Sequence, residues 1–212
     1  NGKIKLITNY TFVLNLKSLL DSALHLNLQS VVLAREYGHP RTLAMCLGNV
    51  GASYLYLEKR DSAARYFLEA EKIGRELQDT YILLHTNQNL GLIYTDLHKY
   101  EKSILYLSAA VTYARDLNNK VLVSRALLNL GVTYNYARQF TDAQQVLQEV
   151  LTIAQETGDD FTLAHAHLSM GHLYLQTDQY EKTKANYTQA LALSQKMEIH
   201  ANVVVALRGL SL

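Results

Sequence analysis

Little in this sequence is set aside for covalent or redox chemistry. Cys46 is its one cysteine, which rules out an intrachain disulfide, a CxxC redox motif and a Cys-rich zinc site. Pro40 is the one proline in 212 residues, and a chain so poor in proline favours long uninterrupted helices. Lys and Arg number 20 against 19 Asp and Glu, a formal net charge of +1. That balance leaves no basic surplus for nucleic acid and no acidic tail. No run of apolar residues approaches the roughly 18 needed to span a membrane, and no basic-then-apolar signal region opens the chain. The motifs GxxxxGK[ST], GxGxxG and HExxH are absent and the carboxylates are scattered, so neither an enzyme nor a cofactor is expected. What remains is 49% hydrophobic content, ample for a buried core and too high for disorder.

A forty-residue register organises that content. Gly51, Gly91, Gly131 and Gly171 stand 40 apart. Each is followed three residues later by a tyrosine (Tyr54, Tyr94, Tyr134, Tyr174) and preceded by an apolar residue (Val50, Leu90, Leu130, Met170). Twelve residues on comes a small residue, as at Ala63 and Ala143, and sixteen on a large apolar one: Phe67, Leu107, Leu147 and Tyr187. Polar clusters such as Gln78-Asp79-Thr80 and Arg138-Gln139 punctuate the chain twice per repeat, with helical i, i+3, i+4, i+7 spacing between them. Each unit therefore reads as two helices of about 17 residues, each about 25 Å long. The units fall at 1–40, 41–80, 81–120, 121–160 and 161–200, with a partial sixth at 201–212. Residues 1–40 fit loosely, with Thr11 in place of the glycine and Leu14 in place of the tyrosine. Divergence of this kind is usual at the end of a repeat array.

A glycine inside a helix costs about 1 kcal/mol relative to alanine, so four at one register position call for a packing reason. Close helix–helix approach supplies it: without a Cβ, the large residue sixteen positions on leans in. No unit buries its apolar face alone, so 1–212 reads as one solenoid domain. The chain begins at Asn1 and ends within a helical pattern running through Val203 to Leu210, and is expected to be a piece of a longer protein.

The pattern resembles the tetratricopeptide repeat family. Its small-x-x-Tyr first helix corresponds to Gly91-Leu92-Ile93-Tyr94, its Tyr-Glu-Lys opening of the second helix to Tyr100-Glu101-Lys102 and Tyr180-Glu181-Lys182, and its mid-helix alanine to Ala70, Ala110 and Ala190. The usual unit has 34 residues and ends in proline. The 40-residue, proline-free unit is similar to the longer variety found in Pins-type adaptors and bacterial peptide-sensing regulators. The resemblance implies an all-α, right-handed α-α superhelix of five helix-turn-helix repeats plus the first helix of a sixth. It also implies a concave groove, walled by first helices, that binds a protein or peptide segment.

Side chains with other potential read blandly. Asp159-Asp160 is read as a helix N-terminal cap rather than a cation site. His165 and His172 share a helix face but lie about 10 Å apart along the axis, too far to hold one metal ion, and His167 points elsewhere. Cys46 is read as a small core residue. Asn9-Tyr10-Thr11 and Asn186-Tyr187-Thr188 match the glycosylation acceptor pattern but fall in expected helices, whereas such acceptors favour surface loops.

The clearest functional signal is a column of asparagines two residues before each register glycine: Asn49, Asn89 and Asn129, with Asn9 in the first unit and Ser169 in the fifth. An amide complements the N–H and C=O of a peptide unit, so such a column suits holding an extended backbone. The alternative is internal, with each amide bonding a neighbouring repeat and fixing the stacking angle. The resemblance assigns the groove to positions six and three before the glycine and one, four and five after it. These are Met45, Gly48, Ala52, Leu55 and Tyr56; His85, Gln88, Leu92, Thr95 and Asp96; Arg125, Leu128, Val132, Asn135 and Tyr136; and His165, Leu168, His172, Leu175 and Gln176. Arg125, His85, His165 and His172 lend this wall an expected positive lean, suited to an acidic peptide and sensitive to pH.

The expected role is the sensory or regulatory module of a larger signalling protein. The alternatives are a constitutive scaffold without switching and self-association through the last helix. The composition fits a cytoplasmic chain, with a periplasmic sensor segment as the alternative.

Overall fold

The computed structural model describes residues 19–37 and 39–211 together with Gly2, Ile4, Ile7, Thr11 and Leu14. Asn9 and Tyr10, which carry two of the readings above, lie outside these residues. Among the described residues helix follows helix with no strand: α1 (Leu20–Glu36), α2 (Pro40–Tyr56), α3 (Arg60–Leu77), α4 (Thr80–Asp96), α5 (Tyr100–Asp116), α6 (Lys120–Tyr136), α7 (Phe140–Thr157), α8 (Asp160–Gln176), α9 (Tyr180–Lys196) and α10 (His200–Leu210). Helices α1 to α9 are 17 or 18 residues long, the length that the polar punctuation predicts. The all-α helix-turn-helix repeat stands as expected.

The turns are as regular as the helices. Glu58, Gln78, His98, Asn118, Arg138, Gly158, Asp178 and Glu198 all have positive φ, between 51° and 67°. They recur every 20 residues, so one left-handed residue reverses the chain after each of α2 to α9. The N–H of the next residue then reaches back to the last helical turn, as in Lys59 to the Tyr54 carbonyl and Gln139 to the Tyr134 carbonyl, each 2.9 Å. This geometry satisfies carbonyls that a helix end otherwise leaves open. Only Gly158 takes the left-handed conformation without steric cost. At the other seven positions packing imposes the turn against local preference.

Three first helices, α4, α6 and α8, begin on side-chain caps. The Asp79, Asn119 and Asp159 side chains accept the N–H groups of Ile82, Leu122 and Thr162 at 3.1, 3.1 and 3.2 Å. Pro40 occupies the first turn of α2, where its missing N–H costs nothing. The acidic pair at Asp159 is thus a cap, and among the described residues no cluster of side chains could hold a metal ion.

The chain divides into two compact units, residues 1–93 and 94–212, with the boundary inside α4. In the first, Val31, Ala34, Ala44, Leu47, Val50 and Ala70 form the core. In the second, Leu107, Ala126, Leu147, Val150, Ala154 and Leu173 are almost fully buried. The glycine register explains how closely the helices approach. A Cβ on Gly51 would lie 2.9 Å from the Phe67 ring, on Gly131 2.8 Å from Leu147 Cγ and Cδ2, and on Gly171 2.9 Å from the Tyr187 ring. In each case the neighbour is the residue sixteen positions on, as the sequence predicts.

The register separates two kinds of glycine, and alanine substitution reads them apart. Gly131→Ala forces Leu147 to shift, an overpacking cost of about 1–3 kcal/mol against the roughly 1 kcal/mol of helix propensity gained. Gly48 has nothing within 4 Å of where its Cβ would stand, so Gly48→Ala gains that propensity without the clash. Urea denaturation should show a lowered midpoint for Gly131→Ala and a raised one for Gly48→Ala.

Candidate functional site

In the first unit, helices α2 and α4 line a cavity of about 290 Å³. Its apolar lining is Ala44, Met45, Gly48, Ala52, Phe67 and Ile82, and Asn49, His85, Thr86 and Asn89 contribute polar atoms beside the Tyr81 ring. Six of these residues (Met45, Gly48, Asn49, Ala52, His85 and Asn89) belong to the positions expected to line the groove. Ala44, Phe67, Tyr81, Ile82 and Thr86 do not. No Asp, Glu, Lys or Arg lines the cavity.

The two asparagines of this wall are half-buried. The Asn89 amide donates to the His85 carbonyl at 2.8 Å, leaving its oxygen available. The Asn49 side chain makes no hydrogen bond among the described residues, although its backbone carbonyl accepts from the Asn27 amide at 3.4 Å. Internal bracing falls to other amides. Asn27, 2% exposed, also donates to the Ser53 hydroxyl at 2.9 Å, and buried Asn135 donates to the Ser169 carbonyl at 2.9 Å.

The second unit carries the same register on α6 and α8, and there the wall is tied to itself. Asn129 is half-buried and its side chain makes no hydrogen bond among the described residues. The Ser169 hydroxyl donates to the His165 carbonyl at 2.9 Å, the counterpart of the Asn89 bond. Arg125 pairs with Asp159 at 3.1 Å. The Tyr136 and His172 rings meet edge to face at 6.3 Å, and the Asn202 amide lies 3.2 Å from His165 Nε2. His167 turns away to Asn186 at 2.9 Å. Asn186 lies inside α9, so its glycosylation triplet stands in a helix rather than a loop.

Two expectations for the wall are corrected. The position four residues after the glycine faces the interior rather than the groove at Thr95 and Asn135, which are 8% and 2% exposed. Thr95 bonds Ser103 and Thr133 at 2.7 and 2.8 Å. The position five after it is outward, with Tyr56 and Tyr136 exposed. The positive lean is also absent. Arg125 is paired with Asp159, and desolvation lowers the pKa of His85, His165 and the more exposed His172 below the ordinary histidine value, which favours the neutral ring.

One pairing had a sequence signal that went unread. Tyr81 packs against His85 with ring centroids 4.3 Å apart, and Phe161 against His165 at 4.6 Å. An aromatic four residues before a histidine, the spacing at which helix side chains meet, occurs at these two positions eighty residues apart and also at Tyr94 and His98.

Comparison with known proteins agrees with this geometry. Tetratricopeptide repeat models match residues 80–156 and 164–197. The chain belongs to the tetratricopeptide repeat family. A model for anaphase-promoting complex subunit 5 matches residues 10–93. No curated protein sequence matches. Among solved structures, BtubC (BKLC) from P. vanneervenii is 21% identical with a TM-score of 0.82, over 92% of this chain and 81% of that one. A signal transduction ATPase with numerous domains (STAND) from Pyrococcus horikoshii, described as having a tetratricopeptide repeat sensor, is 17% identical with a TM-score of 0.84, over 99% of this chain and 31% of that one. A Rap protein complexed with Competence and Sporulation Factor is 15% identical with a TM-score of 0.83, over 96% of this chain and 57% of that one. This tetratricopeptide chain thus spans about a third of the STAND protein and just over half of the Rap protein. At these identities the likeness is one of fold. The repeat is typically a non-catalytic protein-interaction module, no enzyme family is indicated, and no helix among the described residues is long and apolar enough to cross a membrane.

The Asp159 cap gives a pH-dependent prediction. Burial alone raises the Asp159 pKa, but the Thr162 N–H and hydroxyl and the Arg125 guanidinium outweigh it and leave the pKa lowered. The stabilisation is complete above the unfolded value near about 3.9 and is lost as pH falls through the lower folded value. Asp159→Ala should therefore cost about 1 kcal/mol at pH 7. The gap to wild type, read from denaturation midpoints, should close as pH falls below that range.

Proposed function

We propose that this chain is a peptide-binding module that holds an extended protein segment against its first-helix wall, as the sensory or regulatory part of a larger protein. The observation that carries the reading is the cavity between α2 and α4. It lies where the asparagine column and the register positions six and three before the glycine converge. Asn49 and Asn89 bring amide groups to it with bonding capacity to spare, suited to the backbone of an extended segment. Asn129 and Ser169 hold the same register in the second unit. The proposed wall residues remain Asn49, Asn89, Asn129, Ser169, His85, Arg125, Tyr136, His165 and His172. The structural likeness to a STAND sensor and to a Rap protein in complex with a factor supports a regulatory setting.

A constitutive scaffold is the second reading, supported by the match of residues 10–93 to a family named as a subunit of a complex. Self-association through α10 is the third, supported by Val204, Val205 and Leu207, each about half exposed.

A randomised peptide library screened against wild type and an Asn49→Ala, Asn89→Ala double variant tests the proposal. The expected result is a set of peptides retained by wild type and weakened at least tenfold by the variant, which corresponds to about 1.4 kcal/mol. Peptides retained equally by both folded proteins would leave the asparagines without a binding role. With a bound peptide in hand, a regulatory module should change its radius of gyration on binding and a scaffold should not.

A further inference from the structure

The cavity between α2 and α4 carries more than a place for backbone. Its volume of about 290 Å³ lies at the lower edge of the range of about 300–1,000 Å³ typical of small-molecule pockets, enough for one large side chain. Six apolar residues line it and no charged one does. Arg41, whose Nη1 lies 3.9 Å from Met45 Sδ at the edge of the lining, is paired with Asp79 at 2.6 Å. A basic anchor would enter without a counter-charge, an acidic one would have to compete with Asp79 for Arg41, and a buried unpaired charge is strongly disfavoured.

One polar atom in this wall is both buried and without a partner. His85 Nε2 is buried and has no hydrogen-bond partner among the described residues. Its counterpart eighty residues on, His165 Nε2, is met by Asn202 at 3.2 Å. The side chain packed on the His85 ring is Tyr81, itself 45% exposed in the first turn of α4. Tyr81 and His85 both line the cavity, and an outward turn of Tyr81 is the movement by which a ligand would reach the buried nitrogen.

Resting on the peptide-binding reading above, we infer that the cavity is an anchor pocket for a tyrosine side chain of the bound segment, with His85 reading the phenol hydroxyl. The ring of such an anchor suits the apolar lining contributed by Met45, Gly48, Ala52 and Ile82. Its hydroxyl both donates and accepts, so it satisfies Nε2 in either neutral tautomer of His85. A phenylalanine or leucine anchor fills the space but leaves that nitrogen unsatisfied. His85 is then a specificity-determining residue and Tyr81 the side chain that yields to the ligand.

Positional-scanning decapeptide mixtures, each with one fixed residue in an otherwise randomised sequence, test this on the whole chain by fluorescence anisotropy. Wild type should bind its best Tyr-fixed mixture about tenfold more tightly than the Phe-fixed mixture at the same position, and weakly bind Glu- or Lys-fixed ones. His85→Leu removes an unsatisfied buried atom and should fold at least as stably. It should keep Phe binding and lose the tyrosine preference. Tyr81→Ala should retain that preference with equal or tighter binding. A wild type that binds Phe- and Tyr-fixed mixtures alike, or a preference that survives His85→Leu, would overturn the anchor assignment. The Asn49→Ala, Asn89→Ala loss would then stand alone in support of the groove. If no mixture binds the folded wild type, the groove reading fails and the anchor with it.

Discussion

The structure depends on one repeated contact, a helix glycine pressed against a large side chain sixteen residues further along. At Gly51, Gly131 and Gly171 there is no room for even a methyl group. The two helices of a repeat therefore sit at a distance that only a missing Cβ allows. Fixing that distance three times over gives each first helix the same placement on its second helix. Within each unit, the placement of the register asparagine on its first helix is a consequence of that packing, because the residue two positions from the glycine takes the same direction each time. The sequence accepts a helix-propensity penalty at each glycine and a left-handed residue at each turn to keep this register.

Polar groups divide their labour along the same lines. Amides that brace helices are deeply buried and bonded, as at Asn27 and Asn135. The register amides at Asn49 and Asn129 are half-buried and spend nothing on the protein itself. Charges are handled in a third way: arginines that approach the wall are drawn to cap aspartates at the helix starts, Arg41 to Asp79 and Arg125 to Asp159. The cavity between α2 and α4 consequently has no charged side chain in its lining, and its discrimination falls to shape and to hydrogen-bond complementarity rather than to net charge.

The fold was legible because its signals are local and repeated. The glycine, the tyrosine three residues on and the large residue sixteen on recur in phase, and the helices, their lengths and the close contact at Gly131 all follow from that. The candidate site was legible only in outline. Spacing places Asn49, Asn89, Met45 and His85 on one wall, but the direction of the position after each tyrosine depends on packing between helices. Thr95 and Asn135 therefore turn inward where a surface was expected. Ion pairing is likewise invisible in a linear pattern, since Arg125 and Asp159 lie 34 residues apart. So is the burial that lowers the pKa of His85 and His165. Tyr81 and Phe161, each four residues before a histidine, carried a readable sign that depended on knowing that the histidine faces a cavity.

The central claim is that the register asparagines meet ligand while the buried asparagines hold the protein together. Side-chain amide resonances separate the two directly. Titrating a randomised decapeptide mixture into the ¹⁵N-labelled chain should shift the Asn49 and Asn89 side-chain signals and leave those of Asn27 and Asn135 in place. Shifts confined to exposed positions of the second helices, such as those around Leu68 and Leu105, with Asn49 and Asn89 unmoved, would contradict the account.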